Sequence, residues 1–294
     1  MKCAHPHTMR RDGQNLTVPC RKCMPCRIQH AMDWSFRIES ELKYSKTAHF
    51  ITLTYSEENI PRNDSGNGIL VKSELQKFFK RLRFNVRYSE DRYMLDNGIE
   101  HDRFVRFPSI KYYAVGEYGE ESFRPHYHAI IFNIPTETLR IINKIWNKGH
   151  IKVGTVTPAS IKYVTKYITK VDSRDIDLMD LTPPFNLISK GLGSSYVNPE
   201  TTEYHSHIRT MSHVIKKTPK KIPNYYIPKL HDLEDPLVKR KLKYSKAKSA
   251  AKAKHFYDKQ DQELRAKGIN PILHDINKQD EFERKVKSKK RNKL

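Results

Sequence analysis

Two runs of β-branched and aromatic residues, Ser109 to Glu117 and His126 to Phe132, flank one short polar turn that contains Tyr118-Gly119-Glu120-Glu121. A link this short joins antiparallel neighbours, because a parallel pair needs a crossover of about a dozen residues or more. A hairpin therefore sits near the middle of the chain, and the other elements must be placed around it. His49 to Tyr55 is a further strand, with Phe50, Thr52 and Thr54 on one face and Ile51, Leu53 and Tyr55 on the other. Before it, Cys26 to Lys46 reads as a helix through Trp34, Ile38 and Leu42. After it comes a loop, 61–68, and then a helix with Ser73 as N-cap and Leu75, Phe78, Phe79 and Leu82 as its apolar stripe. Lys77, Lys80, Arg81 and Arg83 lie on the other side of that helix. The polar stretch 88–107 reads as a loop or irregular hairpin. Thr136 to Asn147 is expected to be helical and closed by Gly149, His150 to Thr157 a strand, and Pro158 the first turn of a helix reaching Val171.

The order β, α, β, β, α, β, α predicts an α+β domain, an antiparallel-rich sheet with helices packed on one face. It does not alternate as a doubly wound fold does. No G-x-G-x-x-G or G-x-x-x-x-G-K-[ST] pattern occurs, so no nucleotide-binding loop is expected. We divide the 294 residues into a Cys-rich segment and helix (1–46), a core (47–172), a loop-rich extension (173–230) and a basic tail (231–294). In the tail, Lys239 to Lys254 is helix-prone, and Arg284 to Leu294 has a composition suited to disorder.

Charge narrows the partners. With 55 Lys plus Arg against 33 Asp plus Glu, the net charge is +22, which points to a polyanion such as nucleic acid. No apolar run approaches the ~18 residues of a spanning helix, no amphipathic basic helix with an apolar face stands out, and the first residues lack the apolar stretch of a signal peptide. The cytoplasm is the expected compartment.

Three groups of residues carry chemistry. Cys3, Cys20, Cys23 and Cys26 are the chain's four cysteines, and Cys20 to Cys26 holds two overlapping C-x-x-C spacings. In a reducing compartment such a cluster suits tetrahedral zinc or, as alternatives, an iron–sulfur cluster or simply reduced thiols in a turn. His126 and His128 are i and i+2 on a strand, so both imidazoles leave the same face. Two such rings can hold one divalent ion and need only a third ligand. Glu117, at the end of the preceding strand, can reach the same ion. A His₂Glu set with open positions suits catalysis, with Mg²⁺ or Mn²⁺ favoured for a phosphodiester. The alternative is a pair of surface histidines.

On the helix that starts at Pro158, Ile161, Val164, Ile168 and Val171 fall in one sector of about 80°. Tyr163, Lys166, Tyr167 and Lys170 fall in an opposite sector of about 100°. The tyrosines therefore lie outside the core stripe, flanked by lysines three residues on. A phenol with a pKa near ~10 is a poor nucleophile unless activated, and lysines and a metal-bound phosphate would both activate it. The strand 49–55 offers no side chain with an evident catalytic part, and it reads as a core strand or a base contact through Thr52 or Thr54.

In this order the three segments resemble the motifs of HUH endonucleases, the rolling-circle replication initiators: Phe50-Ile51-Thr52-Leu53-Thr54-Tyr55, Arg124-Pro125-His126-Tyr127-His128, and Tyr163 to Lys170 with two tyrosines. Tyr127 replaces the usual aliphatic residue between the histidines. Val18 to Cys26, Ala114 to Gly119, Ser189 to Gly193 and Lys221 to Tyr226 further resemble the replication initiators of gokushoviruses, single-stranded DNA bacteriophages. The resemblance covers residues 1–230. It implies a ferredoxin- or RRM-like nuclease fold, with metal at His126, His128 and Glu117 and with Tyr163 and Tyr167 as alternating nucleophiles assisted by Lys166 and Lys170. It also implies origin nicking through a covalent 5′-phosphotyrosine, strand rejoining, and work with the host helicase and replication machinery in the cytoplasm of an infected bacterium. The competing reading is a non-catalytic, zinc-containing protein that binds single-stranded nucleic acid, which fits the charge and aromatic content equally well. The combination of His126, His128 and paired tyrosines favours the enzyme, since a pure binder does not need it.

Overall fold

The computed structural model describes residues 3, 6–11, 13–119, 122–166, 180–207, 212–215, 218–274, 276–278, 280, 281 and 284. They begin with a hairpin, β1 (His7–Arg11) and β2 (Gln14–Val18), turned at Gly13 with a φ of +73°. Helix α1 (Met24–Tyr44), strand β3 (Ala48–Thr54) and helix α2 (Lys72–Asp96) follow, then β4 (Lys111–Tyr118) and β5 (Pro125–Phe132). Next come α3 (Thr136–Arg140), α4 (Ile142–Trp146), β6 (Ile151–Thr155), α5 (Pro158–Lys166) and β7 (Phe185–Ile188). The chain closes with α6 (Pro199–His207), β8 (Ser212–Ile215), β9 (Thr218–Lys221), α7 (Ile227–Leu230) and α8 (Pro236–Ala266). Two compact units result: Trp34–Asn198, and Met1–Asp33 together with Pro199–Leu294.

The first of these units is built on a five-stranded sheet in the order β6-β3-β5-β4-β7, antiparallel throughout. The expected hairpin is β4–β5, paired from Lys111↔Phe132 to Tyr118↔Pro125, and β5 is the central strand. Strand alternation sends two different sets of side chains to two faces. Ile51, Leu53, Tyr112, Ala114, Tyr127 and Ile131 meet Leu75, Phe78, Phe79 and Leu82 of α2 and Ile142, Ile145 and Trp146 of α4. Tyr113, Val115, Ile130 and Phe132 meet Ile38 of α1 and Ile161 and Val164 of α5. Helices therefore cover both faces, not one. The expectation of one face failed because strands such as Tyr112 to Val115 are apolar at every position, the pattern of a sheet buried on both sides.

Several boundaries moved for physical reasons. Residues 88–96, read as loop, extend α2. Their polarity is that of a solvated helix face, and Met94 continues the buried stripe. Arg106 ties this stretch to the chain that follows by bonding Glu90 at 3.2 Å and Asp91 at 2.7 Å. Ser73 is not the N-cap of α2, because the helix already begins at Lys72 after an extended Val71. The helix expected over 136–147 is two short ones, with Asn147 in the left-handed conformation at its end. Gly149 serves β3 instead: a Cβ there would lie 2.2 Å from the Thr54 carbonyl oxygen. The loop-rich 173–230 segment contributes the fifth strand, since four residues of β7 suffice to pair with β4. The loop after it is clamped by α1. Glu41, buried, accepts from Lys111 Nζ at 2.8 Å and from the Gly193 N–H at 2.8 Å, and Arg37 donates to the Leu192 carbonyl at 2.6 Å.

Trp146 is the keystone of the larger core. Fully buried, it packs against Tyr55, Phe78 and Tyr127, and its Nε1–H donates to the Thr54 carbonyl at 2.9 Å. We expect Trp146→Ala to cost ~3–5 kcal/mol of unfolding free energy, from lost transfer energy plus the cavity. Trp146→Phe should cost distinctly less, and urea denaturation of the two variants checks the difference.

In the other unit, α8 packs on β2. Its N-cap is Asp235, whose carboxylate accepts from the Leu237 N–H at 2.8 Å. The helix expected over Lys239 to Lys254 is thus longer, because Pro236 can occupy its first turn and Leu264 is buried near its end. Residues 285–294, expected to be disordered, lie outside the described residues, as does most of the segment after α5.

Candidate active site

β5 carries His126 and His128 out of the same face, next to Glu117 on β4 and Thr52 and Thr54 on β3. The register pairs His126 with both Glu117 and Thr54, and His128 with Thr52. Central placement thus gives each histidine neighbours on both sides. Tyr163 approaches from α5, which docks on this face through Ile161 and Val164. Thr165 of the same helix is held to α1 by a 3.1 Å contact between its hydroxyl and that of Ser35.

The side chains converge on one oxygen. Glu117 Oε1 lies 2.9 Å from His126 Nε2 and 3.0 Å from His128 Nε2, and it accepts a hydrogen bond from the Tyr163 hydroxyl at 2.7 Å. The Tyr163 hydroxyl is also 3.3 Å from His128 Nε2. Glu117 is only 3% exposed. Burial alone would raise its pKa, but hydrogen bonds from His126, His128 and Tyr163 outweigh it and hold the carboxyl at about 2. The group is therefore an anion at any physiological pH.

The imidazoles are oriented from behind. His126 Nδ1 faces the Arg124 carbonyl at 3.0 Å and must carry a proton there, since a carbonyl only accepts. His128 Nδ1 lies 2.9 Å from the Thr52 hydroxyl, and its ring stacks on Phe50 at a 7° interplanar angle. Arg124 is itself fixed by Glu57 at 2.7 Å and by the Tyr55 carbonyl at 2.9 Å. A neutral His126 protonated at Nδ1 then points its Nε2 lone pair at a carboxylate. Such a cluster is repulsive unless a proton or a cation stands in it.

Donor chemistry fits a cation. Glu117, His126 and His128 each offer one ligand atom, and these lie within 4.8 Å of one another. Glu117 Oε2 is buried and has no hydrogen-bond partner among the described residues. Outer partners on both Nδ1 atoms are the usual support for histidine ligands. A second donor set is Cys3, Cys20, Cys23 and Cys26, whose sulfurs also lie within 4.8 Å of one another. Burial pushes the Cys20 thiol up, but hydrogen bonds from the Cys23 and Lys22 amides and from the thiols of Cys23 and Cys3 bring it down to about 6.

The structure thus brings together Glu117, His126, His128 and Tyr163. Lys166 ends the described part of α5, and Tyr167 and Lys170 lie outside the described residues. Thr52 was legible only as a core or base-contact position. Its place beside His128 depends on β3 being the neighbour of β5, which no local pattern encodes. Tyr127 between the histidines points to the opposite face, where its hydroxyl meets that of Tyr55 at 2.7 Å and the Val71 N–H and carbonyl at 3.0 and 3.1 Å. A phenol replaces an aliphatic residue there because this polar network satisfies it.

Residues 48–172, which contain all of these groups except the cysteines, match a family model described as replication-associated protein, ORF2 type. The chain is 32% identical over 235 residues to "Replication-associated protein ORF2" of Spiroplasma virus 4, covering 74% of this chain and 67% of that protein. It belongs to the replication-associated proteins of gokushovirus type. Similarity extends within this family to "Replication-associated protein VP4" of Bdellovibrio phage phiMH2K, 28% identical over 232 residues, 72% of this chain and 67% of that one. "Replication-associated protein ORF4" of Chlamydia phage 1 is 25% identical over 172 residues, 52% of this chain and 38% of that one. No solved structure matches this member of the family.

Proposed function

We propose that this replication initiator is an HUH-type endonuclease that nicks single-stranded origin DNA through a covalent 5′-phosphotyrosine and later rejoins the strand. One observation carries the reading: a partly exposed phenol, Tyr163, lies within hydrogen-bond reach of a carboxylate–bis-imidazole cluster on a sheet face. A Mg²⁺ or Mn²⁺ ion held by Glu117, His126 and His128 would supply Lewis-acid polarisation of the scissile phosphodiester.

The chain's own groups do the rest. The Tyr163 oxygen forms a bond to phosphorus, the bond from phosphorus to the 3′ oxygen breaks, and the leaving 3′ oxygen takes up a proton. Glu117 orients the phenol and does not act as its base. A carboxyl held at about 2 lies some eight pKa units below a phenol near ~10, a gap of ~11 kcal/mol. The phenol proton therefore leaves to solvent as the bond forms, with Lys166 and Lys170 lowering the cost of the developing anion. Tyr167, one helical turn on, is positioned by sequence to perform the second cut while Tyr163 is occupied. The catalytic part is the 47–172 core, with 1–46, 173–230 and 231–294 as additions to it. Host helicase and polymerase would extend from the freed 3′ end in the bacterial cytoplasm. No helix among the described residues is long and apolar enough to cross a membrane. The cysteine set is read as a structural zinc centre apart from the chemistry.

The deciding experiment incubates the protein with single-stranded origin DNA and Mn²⁺ or Mg²⁺ and runs a denaturing gel. A protein–DNA band that survives denaturation is expected. Cleavage without such a band, or binding without cleavage, overturns the proposal.

Thr52 is assigned a positioning role through His128 Nδ1. Thr52→Val keeps the shape and removes the hydroxyl, so the metal concentration for half-maximal nicking should rise ~10–100-fold. Thr52→Ser should restore it. Equal metal dependence in Thr52→Val and the parent would sink this role.

A further inference from the structure

We propose that the ion held by Cys3, Cys20, Cys23 and Cys26 is a latch that fixes the long basic helix α8 to the N-terminal hairpin. The proposal rests on the structural zinc centre read above and goes beyond it in giving that centre a mechanical task.

The thiol cluster is built from three pieces of chain. Cys20 and Cys23 flank a tight turn in which Arg21 takes a left-handed φ of +61°. Cys26 lies in the first turn of α1, which begins at Met24. Cys3 arrives from the segment before β1, and its Sγ is 3.7 Å from that of Cys23. Backbone amides aim at the sulfurs: Cys23 and Lys22 N–H at Cys20 Sγ, 3.3 and 3.4 Å, and Cys20 N–H at Cys3 Sγ, 3.2 Å. Donors directed at sulfur favour thiolates, and no disulfide joins these residues. Four thiolates this close require a cation, and sulfur ligands in fourfold number select zinc.

Cys3 is also the point at which α8 is tied in. The Tyr257 hydroxyl of α8 donates to the Cys3 backbone carbonyl. One residue thus offers its sulfur to the metal cluster and its carbonyl to the tail helix. Cys3 lies in no helix or strand, so no ladder of backbone bonds fixes it, and these two contacts help to hold it in place. Remove the ion, and the Cys3 carbonyl loses its fixed position under Tyr257. The cargo of the latch is charge. Between Pro236 and Lys254 the helix contains eight Lys or Arg and no Asp or Glu. Such a like-charged helix is self-repelling and gains its order from docking rather than from propensity. Anchoring it near Tyr257 holds the whole row of cations on one rigid element.

The test uses the full chain purified without oxygen. Metal analysis should find one zinc per chain. Hydrogen exchange should show the amides of α8 around Tyr257 speeding up by roughly tenfold or more when the zinc is removed with a chelator. Tyr257→Phe should keep its zinc and still show faster exchange in α8, which separates the latch from the metal centre. Iron or no metal overturns the zinc reading. Zinc present, with α8 exchange indifferent both to the chelator and to Tyr257→Phe, overturns the latch while leaving the zinc centre standing.

Discussion

The double variant Tyr163→Phe, Tyr167→Phe is expected to form no covalent protein–DNA product, a loss of roughly 10³-fold or more, the scale on which removing a covalent nucleophile acts. Tyr163→Phe alone should weaken the band and leave a residue of it, because the second tyrosine stands one turn further along the same helix face. Phenylalanine is the informative replacement. The Tyr163 ring sits edge-on to His128 at 4.9 Å and to Phe50 at 6.3 Å between centroids, and Phe preserves both contacts. What disappears is one hydroxyl and its hydrogen bond to Glu117, worth ~1 kcal/mol to the fold. A thermal melt of the variant should therefore stay within several degrees of the parent. A folded protein that no longer links to DNA places the loss on the nucleophile. A strong adduct in the double variant would show that another side chain attacks phosphorus, and the tyrosine mechanism would be abandoned.

The parts of this site that the sequence made readable are those whose geometry is local. His126 and His128 share a face because strand side chains alternate, and Glu117 meets them because a short turn forces antiparallel return. The same reasoning set Ile161 and Val164 against the sheet and left Tyr163 off the core stripe, and all three hold. The parts that escaped depend on long-range order. Thr52 supports His128 only because β3 enters beside β5, 76 residues away in sequence. The second helical layer escaped because α1 packs Ile38 on the sheet from before its first strand. β7 pairs with β4 after a long excursion, and nothing in four residues of Phe185 to Ile188 announces that partner. Residues 88–96 were misplaced for a different reason: charge on the exposed side of a long helix resembles the composition of a loop.

Glu117→Gln should reduce nicking at least ~100-fold, equivalent to ~3 kcal/mol in the barrier. Gln has the shape of Glu and keeps one carbonyl oxygen, so the change isolates charge. In the parent this carboxylate is ionised, almost fully buried, and has one oxygen without a partner among the described residues. An isolated buried anion is costly, and the two imidazoles relieve the cost only when they are protonated or share a cation with it. Removing the charge should therefore leave the metal-free protein as stable as the parent or more so. The response to metal should change in the opposite sense. A ligand that binds only the folded state at one hundred times its Kd stabilises by ~2.7 kcal/mol, so Mn²⁺ should raise the melting temperature of the parent. In Glu117→Gln that rise should shrink or vanish along with nicking. The joint readout excludes a purely structural part for Glu117, because a structural loss would lower stability with and without metal alike. An unchanged Mn²⁺ shift together with full nicking would remove Glu117 from the ligand set and leave His126 and His128 to be explained without it.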